Sequence, residues 1–227
     1  MLVAIDGPAG SGKSSVARAV AERLGFANLN TGATYRAVAL LALAEGLNLD
    51  DGTALAAVAG GIDLTADGVI YGGERIPEDV LRTPEVAAAA SRVSAHAELR
   101  EVLVERQRAA AREAEAVSGA VVEGRDIGTV VLPDAELKVF LSAAPEERAR
   151  RRALQTGREE ELERIREAIH TRDKRDSERE ASPLKPAPGA VVLDTTGLSL
   201  EGVVSRVVKL AREVREDTDL RGSRKGV

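Results

Sequence analysis

The stretch Gly7-Pro8-Ala9-Gly10-Ser11-Gly12-Lys13-Ser14 constrains this chain more than any other. It fits G-x-x-x-x-G-K-[ST] and follows directly on the apolar run Leu2-Val3-Ala4-Ile5 and Asp6. Glycines let a backbone turn sharply and bring its N–H groups close to a bulky anion. In such a loop the amides and the N-terminus of the next helix surround a β-phosphate. The lysine reaches the β and γ oxygens, and the following hydroxyl ligates Mg²⁺. The geometry requires a strand before the loop and a helix after it. Residues 2–5 are β-prone, and in KSSVARAVAERLG the side chains of Val16, Val20 and Leu24 share one helical stripe that stops at Gly25, a C-cap residue. Gly7, Pro8, Ala9, Gly10, Ser11, Gly12, Lys13, Ser14 and Ser15 are therefore expected to hold the phosphates of ATP, with Lys13 catalytic and Ser14 on the metal.

The same alternation continues along the chain. Short apolar runs at 2–5, 27–29, 120–123, 137–141 and 190–194 read as buried parallel strands. Helical patterns near 13–24, 34–45, 96–116, 145–155, 159–177 and 199–215 separate them, the second closing at Gly46. This predicts an α/β fold of the P-loop NTPase type, with a five-stranded parallel sheet flanked by helices. Between 62 and 82 the rhythm breaks into two or three short strands turning at Asp67-Gly68 and Gly72-Gly73, a small antiparallel unit. A helix then restarts with Thr83 as N-cap and Pro84 at its first position. The expected organisation is a core at 1–61 and 117–216, an inserted lobe with its connecting helix at 62–116, and a helical lid near 145–179. The tail 217–227 has almost no apolar content and is expected to be disordered.

Composition narrows the ligand. A formal charge of −5 and only 2% aromatic residues argue against a nucleic-acid polymer, which is bound through basic faces and stacking platforms. The absence of cysteine excludes thiol nucleophiles and Cys-based metal sites. No basic and apolar leader precedes the first strand, and the uncharged run AVALLALA at 37–44 is too short to span a bilayer, so a cytoplasmic protein with no membrane partner is expected. No large unexplained apolar stripe suggests more than a monomer. Of the 32 basic side chains, six are lysines and 26 arginines, whose planar forks suit a bidentate grip on phosphate.

A phosphate loop alone does not separate kinases from switches or motors. DTTG at 194–197 mimics one GTPase element, but no Asn-Lys-x-Asp exists to read guanine. A small-molecule kinase instead needs a second anion site facing the first, so that acceptor and γ-phosphate meet in line. Two stretches offer one at the strand ends where open α/β sheets bind ligands. In NTGATYRA, 30–37, Thr31 could bond a phosphate and Arg36 could grip it; VVEGRDIGTVV, 121–131, brings out Arg125 and Asp126. The charged segment 145–179 carries Arg148, Arg150, Arg151 and Arg152 within five residues. These repel one another unless an anion compensates them, which suggests a mobile lid closing over phosphates. The other readings left open are a kinase for a different small acceptor, such as shikimate or another nucleoside monophosphate, and a nucleotide-binding regulatory module without turnover.

GPAGSGKS, NTGATYR, EGRDIGTVV and RDKRDSER, in this order and separated by the hairpin segment, closely resemble the bacterial cytidylate kinases, the (d)CMP kinases of the nucleoside monophosphate kinase family. The resemblance runs from residue 1 to about 215. It implies in-line transfer of the ATP γ-phosphoryl group to CMP or dCMP with Mg²⁺, and makes the inserted lobe a monophosphate-binding one. Matching positions imply that Arg36, Arg125 and Arg179 clamp the acceptor phosphate and that Arg172 and Asp176 hold the ribose. Ser91, Arg100 and Asp126 would read cytosine, whose amino donor suits a carboxylate. Lys13, Arg125 and the lid arginines Arg148 and Arg152 would neutralise the transferring group. Asn30 and Glu123 stand where the family commonly has aspartates, which bears on metal affinity but removes no arginine.

Overall fold

Val3, Ala4 and Ile5 are fully buried on both faces of strand β1 (Leu2–Asp6), as a central parallel strand requires. The computed structural model describes residues 1–223, with side chains through 217. After β1 come α1 (Lys13–Leu24), β2 (Ala27–Asn30), α2 (Thr31–Ala44) and α3 (Gly52–Ala59). Three short antiparallel strands follow, β3 (Ile62–Thr65), β4 (Gly68–Tyr71) and β5 (Glu74–Arg75), then α4 (Glu78–Leu81), α5 (Pro84–Val93) and α6 (Ala97–Val117). The chain returns through β6 (Ala120–Gly124), a π-helical turn Ile127–Val131, β7 (Leu137–Ser142), α7 (Pro145–Thr156), α8 (Leu162–Glu178), β8 (Val191–Asp194) and α9 (Leu200–Ser223).

The main sheet has the order β2-β6-β1-β7-β8 with every pairing parallel, so all five carboxyl ends lie at one edge. Register does the positioning. Asp6 pairs with Gly124 and Asn30 with Glu123, so the loops leaving β1, β2 and β6 start side by side. Both faces of the sheet are covered. On one, Val3, Ile5 and Leu141 pack against Val16 and Val20 of α1 and Val203, Val204 and Val207 of α9. On the other, Ala4, Leu29 and Val122 join a core that runs through α2 and α6 to Ile62, Val69, Leu81 and Val86 without a break. The three-stranded unit therefore shares its apolar interior with the main sheet.

The five expected parallel strands, the antiparallel unit and the Thr83 cap are all present; Thr83 Oγ1 accepts from Val86 N at 3.3 Å. Boundaries differ where side chains cap. Helix α2 begins at Thr31 rather than 34, because Asn30 Oδ1 accepts from Ala33 N at 3.2 Å. The first hairpin turns at Ala66-Asp67, one residue early, leaving Gly68 as the first residue of β4 with φ 130°. Helix α3 was not expected; its signal is Asp51, whose Oδ1 accepts from Ala54 N at 3.0 Å. Helix α9 continues to Ser223, into the stretch expected to be disordered, and 224–227 lie outside the described residues. Among the described residues no helix is long and apolar enough to cross a membrane.

Candidate active site

The phosphate loop is held in a shape that two glycines make possible. Gly7, at φ 152°, lies so close to β7 that a Cβ would stand 2.2 Å from Leu141 O. Gly10, at φ 74°, has its would-be Cβ 2.6 Å from Arg148 O, a backbone atom that cannot swing aside. Gly10→Ala should therefore lower stability by about 1–3 kcal/mol from the left-handed backbone alone, and push the loop off α7. A denaturant melt showing no loss would contradict this.

Asp6, just before the loop, accepts from Ile127 N and Gly128 N at 2.8 Å each. Burial pushes its carboxyl up to about 6, against the pull of those two amides. It ties the end of β1 to the turn that follows Arg125 and Asp126. Lys13 Nζ donates to Pro8 O at 2.7 Å and to Ser11 Oγ at 3.4 Å. Burial, and next the Arg125 guanidinium, push its ammonium well below the usual lysine range. An anion in the loop would relieve that cost.

The loop forms one wall of a cleft of about 1300 Å³, and arginines form much of the rest. Ala9, Gly10, Ser11, Gly12, Lys13, Ser14 and Ser15 line it together with Arg36, Ser91, Arg125, Arg152 and Arg172. Arg125 donates from Nη1 to Gly7 O at 2.6 Å and from Nε to Asp176 Oδ2 at 2.8 Å, so it bridges the loop and α8. Arg36 reaches only the neutral Asn30 Oδ1, at 3.4 Å, and its buried Nε has no hydrogen-bond partner among the described residues. The same holds for Arg172 Nε, 3.9 Å from Asp176. Burial pushes both guanidiniums down to about 10, still charged at neutral pH but short of counter-charge.

Behind this wall lies a second polar cluster. Arg100 is ion-paired to Asp126, with Arg179 Nη2 at 3.8 Å from the other carboxylate oxygen; the three side chains are only 5–7% exposed. Arg100 also donates to Ser182 Oγ at 3.3 Å, and Arg179 Nε to Ser182 O at 2.6 Å. Ser91, buried on α5, accepts from Arg175 Nη1 of α8 at 3.0 Å.

Several expected residues do not line the cleft: Gly7, Pro8, Asp176 and the cluster of Arg100, Asp126 and Arg179 lie outside its lining, as do Thr31 and Arg148. Thr31 is buried, its hydroxyl spent on Glu123 O at 2.8 Å. Arg148 is turned under the loop, donating to Ala9 O and Ala143 O at 3.0 Å and ion-paired to Asp173. The arginine cluster of α7 is also compensated from within: Arg150 and Arg151 share Glu147, Arg148 has Asp173, and only Arg152 lacks a carboxylate among the described residues, donating instead to Gln155 Oε1 at 3.0 Å. The argument from charge density to an external anion thus has no support in Arg148, Arg150 or Arg151 and rests on Arg152 alone. Sequence reasoning missed Arg82, Arg158 and Arg175, which also line the cleft. Each sits one helical turn or less from a glutamate or aspartate and so reads as a surface pair.

Ser14 Oγ donates to Glu123 Oε2 at 2.9 Å, while Glu123 Oε1 is buried with no hydrogen-bond partner among the described residues. A hydroxyl beside a carboxylate with an unused oxygen is an all-oxygen donor set, which suits a hard cation such as Mg²⁺.

A family profile described as cytidylate kinase matches residues 3–213. The chain is 47% identical over 220 residues to a cytidylate kinase of Lysinibacillus sphaericus, covering 93% of this chain and 96% of that one. It is 46% identical over 219 residues to one of Pseudomonas aeruginosa, covering 92% and 93%. A bifunctional pantoate ligase/cytidylate kinase of a Synechococcus strain is 47% identical over 227 residues, and there the match spans 95% of this chain but 41% of the longer protein. Among solved structures, an uncharacterized protein from Eubacterium ventriosum superposes with a TM-score of 0.53 at 13% identity, over 94% of this chain and 98% of that one, a likeness of fold.

Proposed function

The chain belongs to the cytidylate kinase family, and from that premise we propose that its cleft transfers the γ-phosphoryl group of ATP to CMP or dCMP, giving ADP and CDP or dCDP. One observation carries this reading: Lys13 and the loop face the same cavity as Arg36, Arg125 and Arg172, so two anions brought there would meet. A regulatory module that only senses ATP has no use for the second set of cations.

In this reading residues 7–15 hold the donor phosphates. Arg36 and Arg125, with Arg179 behind them, take the acceptor phosphate; Arg172 and Asp176 take the ribose; Ser91, Arg100 and Asp126 take the base. The acceptor phosphate oxygen is already a nucleophile, so no strong general base is needed. The protein aligns the two phosphates and neutralises charge as it spreads over the transferring group, through Lys13, Arg125 and Arg152. Ser14 directly, and Glu123 beside it, would hold Mg²⁺, which supplies charge neutralisation across the donor phosphates when bound. The loose charge compensation of Arg36, Arg152 and Arg172 supports this, since each has counter-charge to gain from a nucleotide. Arg148 serves instead from below, as part of the support of the loop. Helices α7 and α8 act as the lid, excluding water so that ATP is not spent on hydrolysis. The unit from 62 to 116 acts as the monophosphate-binding lobe. We place the protein in the cytoplasm as a monomer working on free nucleotides.

The test is a coupled assay with ATP and Mg²⁺ over a panel of acceptors, read as ratios of kcat/KM. CMP and dCMP should exceed UMP, AMP and shikimate by at least about tenfold, because uracil sets an acceptor oxygen against the Asp126 carboxylate where cytosine offers an amino donor. Faster turnover of AMP, UMP or shikimate would overturn the assignment of the base readers.

A further inference from the structure

The residue at the crest of the phosphate loop, Ala9, is held from three sides by the helical pair α7–α8. Its N–H donates to Asp173 Oδ1 at 3.0 Å. Its carbonyl accepts from Arg148 Nη1 at 3.0 Å, and Arg148 is ion-paired to the same Asp173. Its methyl group packs against the small apolar cluster of Ala149, Ala153, Ile165 and Ile169 that joins α7 to α8. Gly10, the next residue, lies against the backbone of Arg148. Both peptide groups flanking the Ala9 side chain are thus satisfied by one carboxylate–guanidinium pair from outside the loop.

We propose that Asp173 is a positioning residue for the donor site, fixing the crest of the phosphate loop in its phosphate-ready shape through Ala9 and Arg148. The proposal rests on the reading of residues 7–15 as the cradle for ATP phosphates, and deepens it. A loop free to sample several conformations must be ordered by its ligand, and affinity falls by the fraction of time spent in the wrong shape. Asp173 removes that loss before ATP arrives. Its carboxylate is committed to Ala9 and Arg148, whereas Asp176 on the same helix is bonded to Arg125, with Arg172 3.9 Å away. Damage at Asp173 should accordingly be felt by the donor and not by the acceptor.

Equilibrium binding of a non-hydrolysable ATP analogue and, separately, of CMP to the full chain tests this without turnover. Asp173→Ala should weaken the ATP analogue by about tenfold, the scale of one lost charge-assisted hydrogen bond, and leave CMP affinity within about twofold. Asp173→Asn keeps an oxygen for the Ala9 N–H but sets an amide NH2 against Arg148, and should recover part of the loss. Equal losses for the two ligands, no loss for the ATP analogue, or an asparagine variant no better than alanine would each overturn the proposal. Should Asp173→Ala not fold, Asp173→Asn takes its place and is compared with the unaltered chain, with a smaller loss for the ATP analogue. The same asymmetry is expected, and its absence has the same meaning. An unaltered chain that binds ATP but never phosphorylates CMP would defeat the proposed function instead, and leaves this comparison intact.

Discussion

Lys13→Ala should abolish detectable transfer to CMP, with kcat/KM down by on the order of 10³-fold or more, while the protein stays folded. The size follows from what the ammonium does: it is the cation that Ser11 and Pro8 aim into the loop, and removing one preorganised charge partner of a transition state costs on that scale. The unchanged fold follows from the electrostatics. Burial and Arg125 hold the Lys13 pKa well below that of an unfolded lysine, so at neutral pH the unfolded chain binds this proton more tightly than the folded one. The charged side chain therefore costs stability in the free protein, a cost that shrinks as pH rises toward the unfolded lysine value. Alanine removes it, and thermal melting should show a midpoint equal to or above that of the unaltered chain. A variant that keeps its rate would leave the loop without a catalytic role.

Asp126→Ala should have the largest effect on stability. The carboxylate lies between Arg100 and Arg179, all three nearly excluded from solvent, and its removal leaves two buried guanidiniums facing each other. Breaking a buried pair in this way costs about 3–5 kcal/mol. For a chain of this length that lowers Tm by roughly 6–20 °C. Activity measured well below the new midpoint should also fall, because Arg100 would lose the partner that holds it in place. Scanning calorimetry paired with the CMP assay separates the two effects; a melt within a degree or two of the unaltered chain would mean that the Arg100–Asp126 pair is not buried as described.

Most of the architecture was legible because parallel strands and amphipathic helices leave periodic traces. The strands at 2–6, 120–124 and 191–194 each begin on an unbroken apolar run, those at 27–30 and 137–142 are apolar with polar interruptions at Asn28 and Lys138, and the phosphate loop fixed which of them leads. Helix α3 left a weaker trace: GTALAAVA is almost wholly small and apolar, with no polar stripe to show its period. The site was legible by residue type and not by orientation. Arg36, Arg125, Arg152 and Arg172 do line one cleft, but nothing local distinguishes Arg152 from Arg148. What turns Arg148 away is Asp173, 25 residues further on, in a helix whose packing the sequence does not announce. The neutrality of Asn30 beside Arg36 has a similar lesson. The substitution was visible, while its physical meaning, a guanidinium left with no carboxylate bonded to it, needed the geometry.

The interior shared by the main sheet and the three-stranded unit has a mechanical consequence. A hinge between those two parts would have to tear a continuous apolar filling that runs from Leu29 through Val38 to Ile62 and Val86, so they behave as a single stiff block. By contrast α7 and α8 meet over four buried side chains and one alanine methyl. The apolar filling that joins α7 to α8 is thus far smaller than the one that joins the sheet to the three-stranded unit, so any movement that closes the cleft is expected of these two helices rather than of the block beneath them.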